Sequence, residues 1–203
     1  MAQFTFKSII FHITDVNMNV MSRCCSLPCS GNPHYTATRH GGTTGLRIVV
    51  AADPAAVEYK DVVKADLEAD SRVDDVIDVG VQAGDDTLYP HIGIKGAHVI
   101  KDGKADRGIF FCGTGMGMAI TANKVPGIRA CTAHDSFSVE RLIMSNDAHV
   151  LCLGQRVIGR ELARRLAHEF IGYTFDPSSH SKANIDLIDA YESGAGESAP
   201  GNC

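Results

Sequence analysis

Short apolar runs alternate with amphipathic segments along the middle of the chain. The runs predict five buried strands, at residues 47–52, 73–79, 109–111, 128–133 and 149–153. The segments between and after them place apolar residues three or four positions apart and predict helices at 57–69, 91–100, 118–124, 136–145, 161–171 and 182–191. Because strands and helices alternate, we expect an α/β fold: a three-layer sandwich with a five-stranded parallel sheet and helices on both faces.

The two ends of the chain differ from this middle part. Residues 1–45 are basic and rich in serine, threonine and asparagine, and the glycine-rich run at 41–45 is typical of a linker. We expect a disordered N-terminal extension over 1–45, one folded domain over 46–192 and a disordered tail over 193–203. The basic bias of the extension is also typical of an organellar transit segment, and that alternative stays open.

Composition and charge argue against several classes of function. The net charge is −5 and the basic residues are dispersed, so we expect no nucleic-acid partner. Since no apolar run approaches the length of a membrane span, we expect no membrane partner. Cys112, Cys131 and Cys152 lie in or beside apolar runs, which is typical of reduced cysteine in a cytoplasmic protein. The cysteines of the extension lack a zinc-finger spacing, so no metal is expected.

A glycine-rich loop follows the third predicted strand. Cys112 opens it, and Gly113, Gly115 and Gly117 alternate with other residues before the next helix. Alternate glycines at such a junction leave backbone N–H groups able to bind an anion, and the same positive field favours a thiolate. A base beside an anion site suits proton abstraction next to a carbonyl. The spacing fits neither a Walker loop nor the usual dinucleotide fingerprint. A tight turn with a buried cysteine is the alternative.

Polar or glycine residues follow four of the predicted strands directly. They are Asp53, Cys112, His134 and Gly154. The carboxyl ends of parallel strands meet at one edge of a sheet, where ligands bind, so we expect a site there. His134 is a candidate acid–base group at this edge, and a plain polar residue at a strand end is the alternative.

Three ordered motifs resemble the ribose-5-phosphate isomerase B and galactose-6-phosphate isomerase family. They span residues 112–117, 123–130 and 146–159, and the resemblance covers about 46–191. It implies a Rossmann-like sandwich and a homodimer, or a tetramer, with active sites shared between subunits. It also implies isomerisation of a phosphorylated sugar between aldose and ketose through a cis-enediolate, without metal or cofactor. In the pentose phosphate pathway that reaction converts ribose 5-phosphate to ribulose 5-phosphate.

The resemblance assigns roles to the glycine-rich loop. Cys112 is the base that moves a proton between C1 and C2 of the sugar, and Thr114 positions the substrate or the thiol. The amides around Gly113, Gly115 and Gly117 hold the enediolate oxygens.

The resemblance also implies binding residues outside the glycine positions. Asp53 and Tyr89 bind sugar hydroxyls, and Asn123 lines the loop. Asn146 reaches the sugar from the other subunit, and Arg156 binds the phosphate.

Two departures from the family pattern concern the substrate. The family has a phosphate-binding histidine where this chain has Pro54, and the pentose enzymes have a ring-opening histidine where it has Ser145. Serine does not titrate near neutral pH, so ring opening is hard to assign to it. A four-carbon sugar phosphorylated on O4 cannot close a furanose ring. The conversion of erythrulose 4-phosphate to erythrose 4-phosphate is therefore a rival function, with Ser145 still a candidate contact.

A third departure lies near the C-terminus. Two arginines bind phosphate in the family, and Ser179 and Ala183 occupy their positions here. His180 and Lys182 lie beside them and are candidate replacements. Because several charge-assisted contacts are lost, a non-catalytic sugar-phosphate-binding protein is the alternative of another class.

Overall fold

The computed structural model describes residues 44–195, and the predicted extension and most of the predicted tail lie outside them. The strands are β1 (Leu46–Ala52), β2 (Val73–Asp78), β3 (Arg107–Cys112), β4 (Ala130–Thr132) and β5 (Val150–Gly154). The helices are α1 (Val57–Glu68), α2 (Tyr89–Lys101), α3 (Met116–Ala122), α4 (Ser136–Met144), α5 (Arg160–Phe170) and α6 (Ser181–Glu192). Within this part of the chain, no helix is both long and apolar enough to cross a membrane.

The five strands form one parallel sheet in the order β2-β1-β3-β5-β4. Successive side chains of a strand point to opposite faces, and each face has its own apolar core. Val50 and Phe111 pack in the core beneath α1, α4 and α5, whereas Val49 and Phe110 pack in the core beneath α2 and α3. The predicted α/β sandwich with helices on both faces is confirmed.

The edge strand β4 is shorter than the predicted run at 128–133. Asn123, which ends α3, explains the difference. Its side-chain amide donates to the carbonyl of Ala130 at 2.7 Å, and its oxygen accepts from the Ala130 N–H at 2.9 Å. The side chain therefore pairs with the first residue of β4 as a neighbouring strand would, and β4 begins only there.

A buried lysine links α1 to β2. The Lys60 side chain is 0% exposed, and its ammonium lies 2.8 Å from Asp78 and 3.0 Å from Asp61. Burial disfavours the charge, but the hydrogen bonds to Asp78 and Asp61 outweigh it and raise the pKa of Lys60. The helical periodicity did not reveal this ion pair. It fixes the start of α1 beside the carboxyl end of β1.

Candidate active site

Cys112 ends the central strand β3 and is 5% exposed. The N–H of Gly115 donates to the Cys112 sulfur at 3.0 Å. Gly115 has a φ of +82°, a left-handed conformation that side chains rarely adopt. The chain turns back on itself at this glycine, which is how a backbone donor reaches the sulfur. A hydrogen bond of this kind stabilises negative charge on a thiolate.

The loop after Cys112 is held by close backbone contacts. A methyl group at Gly154 would lie 2.6 Å from the carbonyl carbon of Thr114, and one at Gly117 would lie 2.9 Å from the Tyr89 ring. The N–H of Gln155 donates to the carbonyl of Cys112 at 3.0 Å. The loop is therefore fixed by its neighbours on both sides, and Tyr89, on the first turn of α2, lies against it.

Asp53 and Arg156 lie at the same edge of the sheet. Arg156 follows β5, and its guanidinium passes over Gly113, where a methyl group would lie 3.5 Å from Nε and from Nη1. Burial raises the pKa of Asp53, while the N–H of Ala55 and the positive charge of Arg156 act in the opposite direction. A carboxyl group and a guanidinium thus stand beside the thiol and its loop, as hydroxyl and phosphate binding would need.

His134 also lies at this edge, behind the loop rather than in it. Its Nε2 accepts a hydrogen bond from the N–H of Gly154 at 3.0 Å, which places the ring proton on Nδ1. Burial lowers the pKa of His134, and the neighbouring carboxylate of Asp135 only partly offsets this effect. The ring is therefore kept neutral near pH 7, and its Nε2 already accepts the hydrogen bond from Gly154.

Several predicted site residues lie away from Cys112 in the same chain. Ser145 and Asn146 follow α4 and precede β5, so they are at the amino end of the strands, opposite the thiol. Ser145 accepts a hydrogen bond from Arg141, and the backbone carbonyl of Asn146 accepts one from Arg129. The side-chain amide of Asn123 is engaged by β4, as described above. The chain does not bring these three side chains to its own loop.

The two C-terminal candidates, His180 and Lys182, lie at the start of α6. Lys182 forms an ion pair with Asp186 one turn further along, and His180 is exposed just before the helix. The end of α6 is tied to the amino end of β4 through the ion pair of Asp189 with Arg129 at 3.0 Å. This ion pair fixes the end of α6, rather than His180 and Lys182 at its start, on the side of the sheet opposite Cys112.

The family is decided by comparison of the sequence with known proteins. The model of the family described as Ribose/Galactose Isomerase matches residues 48–188. The chain belongs to the ribose/galactose isomerase family. The resemblance carried by the three motifs is thereby confirmed, and with it the class of enzyme, an isomerase.

Individual members of the ribose/galactose isomerase family are similar over most of their length. D-erythrulose-4-phosphate isomerase 2 of Mycolicibacterium smegmatis is 53% identical over 148 residues, which cover 72% of this chain and 97% of that protein. Ribose-5-phosphate isomerase B of Escherichia coli is 36% identical over 118 residues, or 58% of this chain and 78% of that protein.

Solved structures of ribose/galactose isomerases share the fold. Ribose-5-phosphate isomerase B of Clostridium thermocellum superimposes with a TM-score of 0.69 and 33% identity, covering 73% of this chain and 99% of that one. The type B enzyme of Leishmania infantum gives a TM-score of 0.71 and 29% identity, covering 74% and 98%. The predicted Rossmann-like sandwich is confirmed by these similarities.

Two features of the site were not predicted from the sequence. Met116 is apolar, yet its side chain is 58% exposed beside the loop. The link from His134 to Gly154 was missed, since nothing in the sequence shows which backbone group a histidine after a strand will meet. In the part of the chain described, no three His, Cys, Asp or Glu side chains come together as a metal site.

Proposed function

We propose that this isomerase interconverts D-erythrulose 4-phosphate and D-erythrose 4-phosphate. The observation that carries the proposal is the 53% identity to a D-erythrulose-4-phosphate isomerase over 97% of that protein. Ser145 supports it: where the pentose enzymes of the family are expected to place a ring-opening histidine, this chain has a serine that accepts a hydrogen bond from Arg141. A tetrose 4-phosphate has no furanose ring to open, so it does not need an acid or base there.

The chemistry follows from the loop at the end of β3. The Cys112 thiolate removes a proton from C1 of the ketose and returns it to C2, while the hydroxyl proton of O1 passes to O2, so that the carbonyl moves from C2 to C1 and the aldose forms with no net change in atoms. Negative charge develops on the oxygens of C1 and C2 in between. The amides of Gly113 and Gly117 stabilise that charge as fixed dipoles, while the amide of Gly115 donates to the Cys112 sulfur and stabilises the thiolate. Thr114, whose hydroxyl accepts from the Met116 N–H at 3.4 Å, orients the substrate at the loop.

The side chains around the loop bind the substrate. Asp53 and Tyr89 receive the hydroxyl groups, and Arg156 receives the phosphate. The guanidinium of Arg156 is suited to this because it is exposed above Gly113 and always charged. Since Pro54 stands where the family has a histidine, the phosphate is held through Arg156 and the second subunit.

The arrangement also supports a homodimer with shared sites. Ser145 and Asn146 lie at the amino end of the strands, so a second copy of the chain would have to bring them to Cys112. An exposed apolar surface adjoins the loop, where Met116 is 58% exposed and Ile120 on the same helix is 63% exposed. Burial of such a surface drives association. We infer that the domain over 46–192 dimerises, and its cysteines, which are typical of reduced thiols, support a cytoplasmic location.

The test is a comparison of D-erythrulose 4-phosphate with ribose 5-phosphate as substrates. We expect kcat/KM for the tetrose to exceed that for the pentose by at least about 10²-fold, the scale of an acid–base contribution. The variant Ser145→His should raise ribose 5-phosphate turnover, and Ser145→Ala, as its matched control, should leave tetrose turnover within about twofold. Equal or better turnover of ribose 5-phosphate by the unaltered enzyme would refute the proposal and assign the pentose.

A further inference from the structure

The edge strand β4 stops before its neighbour does. The residues of β4 pair with Val150 to Cys152, and the last pair is Thr132 with Cys152, yet β5 continues to Gly154. Along a strand, successive N–H groups point to alternate sides. The N–H of Gln155 donates towards β3, to the carbonyl of Cys112. The N–H of Gly154 therefore points the other way, towards a place that β4 no longer occupies.

His134 fills this place with a side chain. Its Nε2 lies 3.0 Å from the nitrogen of Gly154, where a backbone carbonyl of a longer β4 would have accepted the bond. Gly154 is buried, so an N–H without a partner there would be costly. The histidine thus completes the backbone pairing of β5 at the residue where the sheet meets the active site.

Gly154 in turn sets the position of the catalytic loop. It pairs with Cys112 across β3 and β5, and its Cα lies against the backbone of Thr114. The next two N–H groups, of Gln155 and Arg156, donate to the carbonyls of Cys112 and Gly113, each at 3.0 Å. A shift of Gly154 would move the thiol, the loop amides and the root of the Arg156 side chain together.

We propose that His134 is a positioning residue of this isomerase: through the hydrogen bond from Gly154 to its Nε2, it holds the end of β5 against the Cys112 loop. The proposal rests on the proposed isomerase function but not on which sugar phosphate is the substrate. It gives His134 a role other than acid–base transfer, because the nitrogen on the site side already accepts a backbone hydrogen bond.

A neutral imidazole suits this role. The charge that acts on the ring is that of Asp135, whose carboxylate is itself engaged by the N–H and hydroxyl of Ser138. Burial lowers the pKa of His134, so Nε2 stays an acceptor at neutral pH. A protonated ring would carry a hydrogen on Nε2 as well, so it could not accept from the Gly154 N–H, and this hydrogen bond would be lost.

The experiment compares His134→Ala with His134→Gln, using the full chain and the sugar phosphate that the unaltered enzyme turns over best. The side-chain oxygen of glutamine reaches about as far as Nε2 and accepts a hydrogen bond, but it cannot exchange a proton near pH 7. We expect His134→Ala to lower kcat about 10- to 100-fold with less than about threefold change in KM, since a misplaced loop loses transition-state contacts. His134→Gln should restore kcat to within about threefold of the unaltered enzyme. His98→Ala, on the exposed face of α2, is the matched control and should change neither constant.

Each outcome supports or refutes the positioning role of His134. If a folded His134→Ala variant keeps kcat within about twofold of the unaltered enzyme, His134 does not position the Cys112 loop. If His134→Gln is folded but as impaired as His134→Ala, the histidine acts through its proton, and the positioning role is wrong. Where His134→Ala does not fold, the kcat of His134→Gln alone separates the two roles. An enzyme without activity on any sugar phosphate would instead refute the proposed function before these variants are compared.

Discussion

Replacing Gly154 by alanine would press a methyl group into the backbone of the catalytic loop. The added carbon would lie 2.6 Å from the carbonyl carbon of Thr114 and 2.7 Å from its Cα. Carbon atoms at rest stay at least about 3.5 Å apart, so the loop or β5 must retreat by about 1 Å. Because the obstacle is backbone on both sides, a rotamer change cannot relieve it.

A displacement of this size is large for catalysis. Misplacement of reacting groups by about 1 Å can cost about 10²-fold in rate, and overpacking costs about 1–3 kcal/mol in stability. We therefore expect kcat of Gly154→Ala to fall about 10²-fold, together with a lower free energy of unfolding. Steady-state kinetics and urea denaturation measure the two effects.

Two further glycines provide matched controls. Gly159 ends the same turn at a φ of −72°, and a methyl group there meets nothing within 4 Å. Gly159→Ala should leave kcat unchanged and cost less than about 1 kcal/mol in stability. Gly113→Ala meets only the flexible Arg156 side chain, at 3.4 Å or more, so it should raise KM more than it lowers kcat. A Gly154→Ala enzyme with unaltered kcat and stability would refute the close approach of β5 to the loop.

Three other variants test the rest of the structure. Asn123→Ala should lower the free energy of unfolding by about 1–3 kcal/mol, because the N–H and carbonyl of Ala130 lose their partner; a large fall in kcat at unchanged stability would instead place Asn123 in the site. Lys60→Met should lower the free energy of unfolding by about 1–3 kcal/mol in urea denaturation, because Asp78 loses its buried partner and keeps only the more exposed Lys64, at 3.3 Å. The double variant Lys60→Met, Asp78→Leu should recover most of that loss, and no recovery would contradict the pairing. Burial, reinforced by nearby arginine charges, lowers the pKa of His149 to about 3. Since the unfolded chain titrates near 6.5, the stability from neutral His149 is complete above pH 6.5. It is lost as the pH falls towards 3, at about 1.4 kcal/mol per unit. His149→Asn should flatten that slope in urea denaturation at stepped pH, and an unchanged slope would contradict the assignment.

The fold was predictable because its three central strands, β1, β3 and β5, are largely continuous apolar runs. Residues 47–52 and 109–111 are apolar enough to be buried on both faces, which only a covered parallel sheet allows. Asp135 directly precedes the predicted helix at 136–145, a position where aspartate favours a helix cap, and its carboxylate accepts from the Ser138 N–H at 2.8 Å. Such features depend on residues close in sequence, so local reasoning finds them.

The features that were missed depend on distant parts of the chain. Lys60 has ordinary helical spacing, and the approach of Asp78 from β2, together with the neighbouring Asp61, makes its burial tolerable. Asn123 falls within a motif that suggested substrate contact, but the turn back to Ala130 gives its amide a structural use. Met116 is apolar yet 58% exposed in the part of the chain that the structure describes, and its place beside the glycine-rich loop does not predict this. The spacing of apolar residues along the chain does not predict these contacts or this exposure.

The central claim is that Cys112 is the base in an enediolate mechanism, and deuterium exchange tests it most directly. The enzyme is incubated with D-erythrulose 4-phosphate in D2O, and the label at C1 of the ketose and C2 of the aldose is followed by NMR. We expect the unaltered enzyme to introduce deuterium during isomerisation, and a folded Cys112→Ser variant to lose both exchange and turnover by at least about 10²-fold. Exchange and turnover that persist in Cys112→Ser would contradict the assignment of the base.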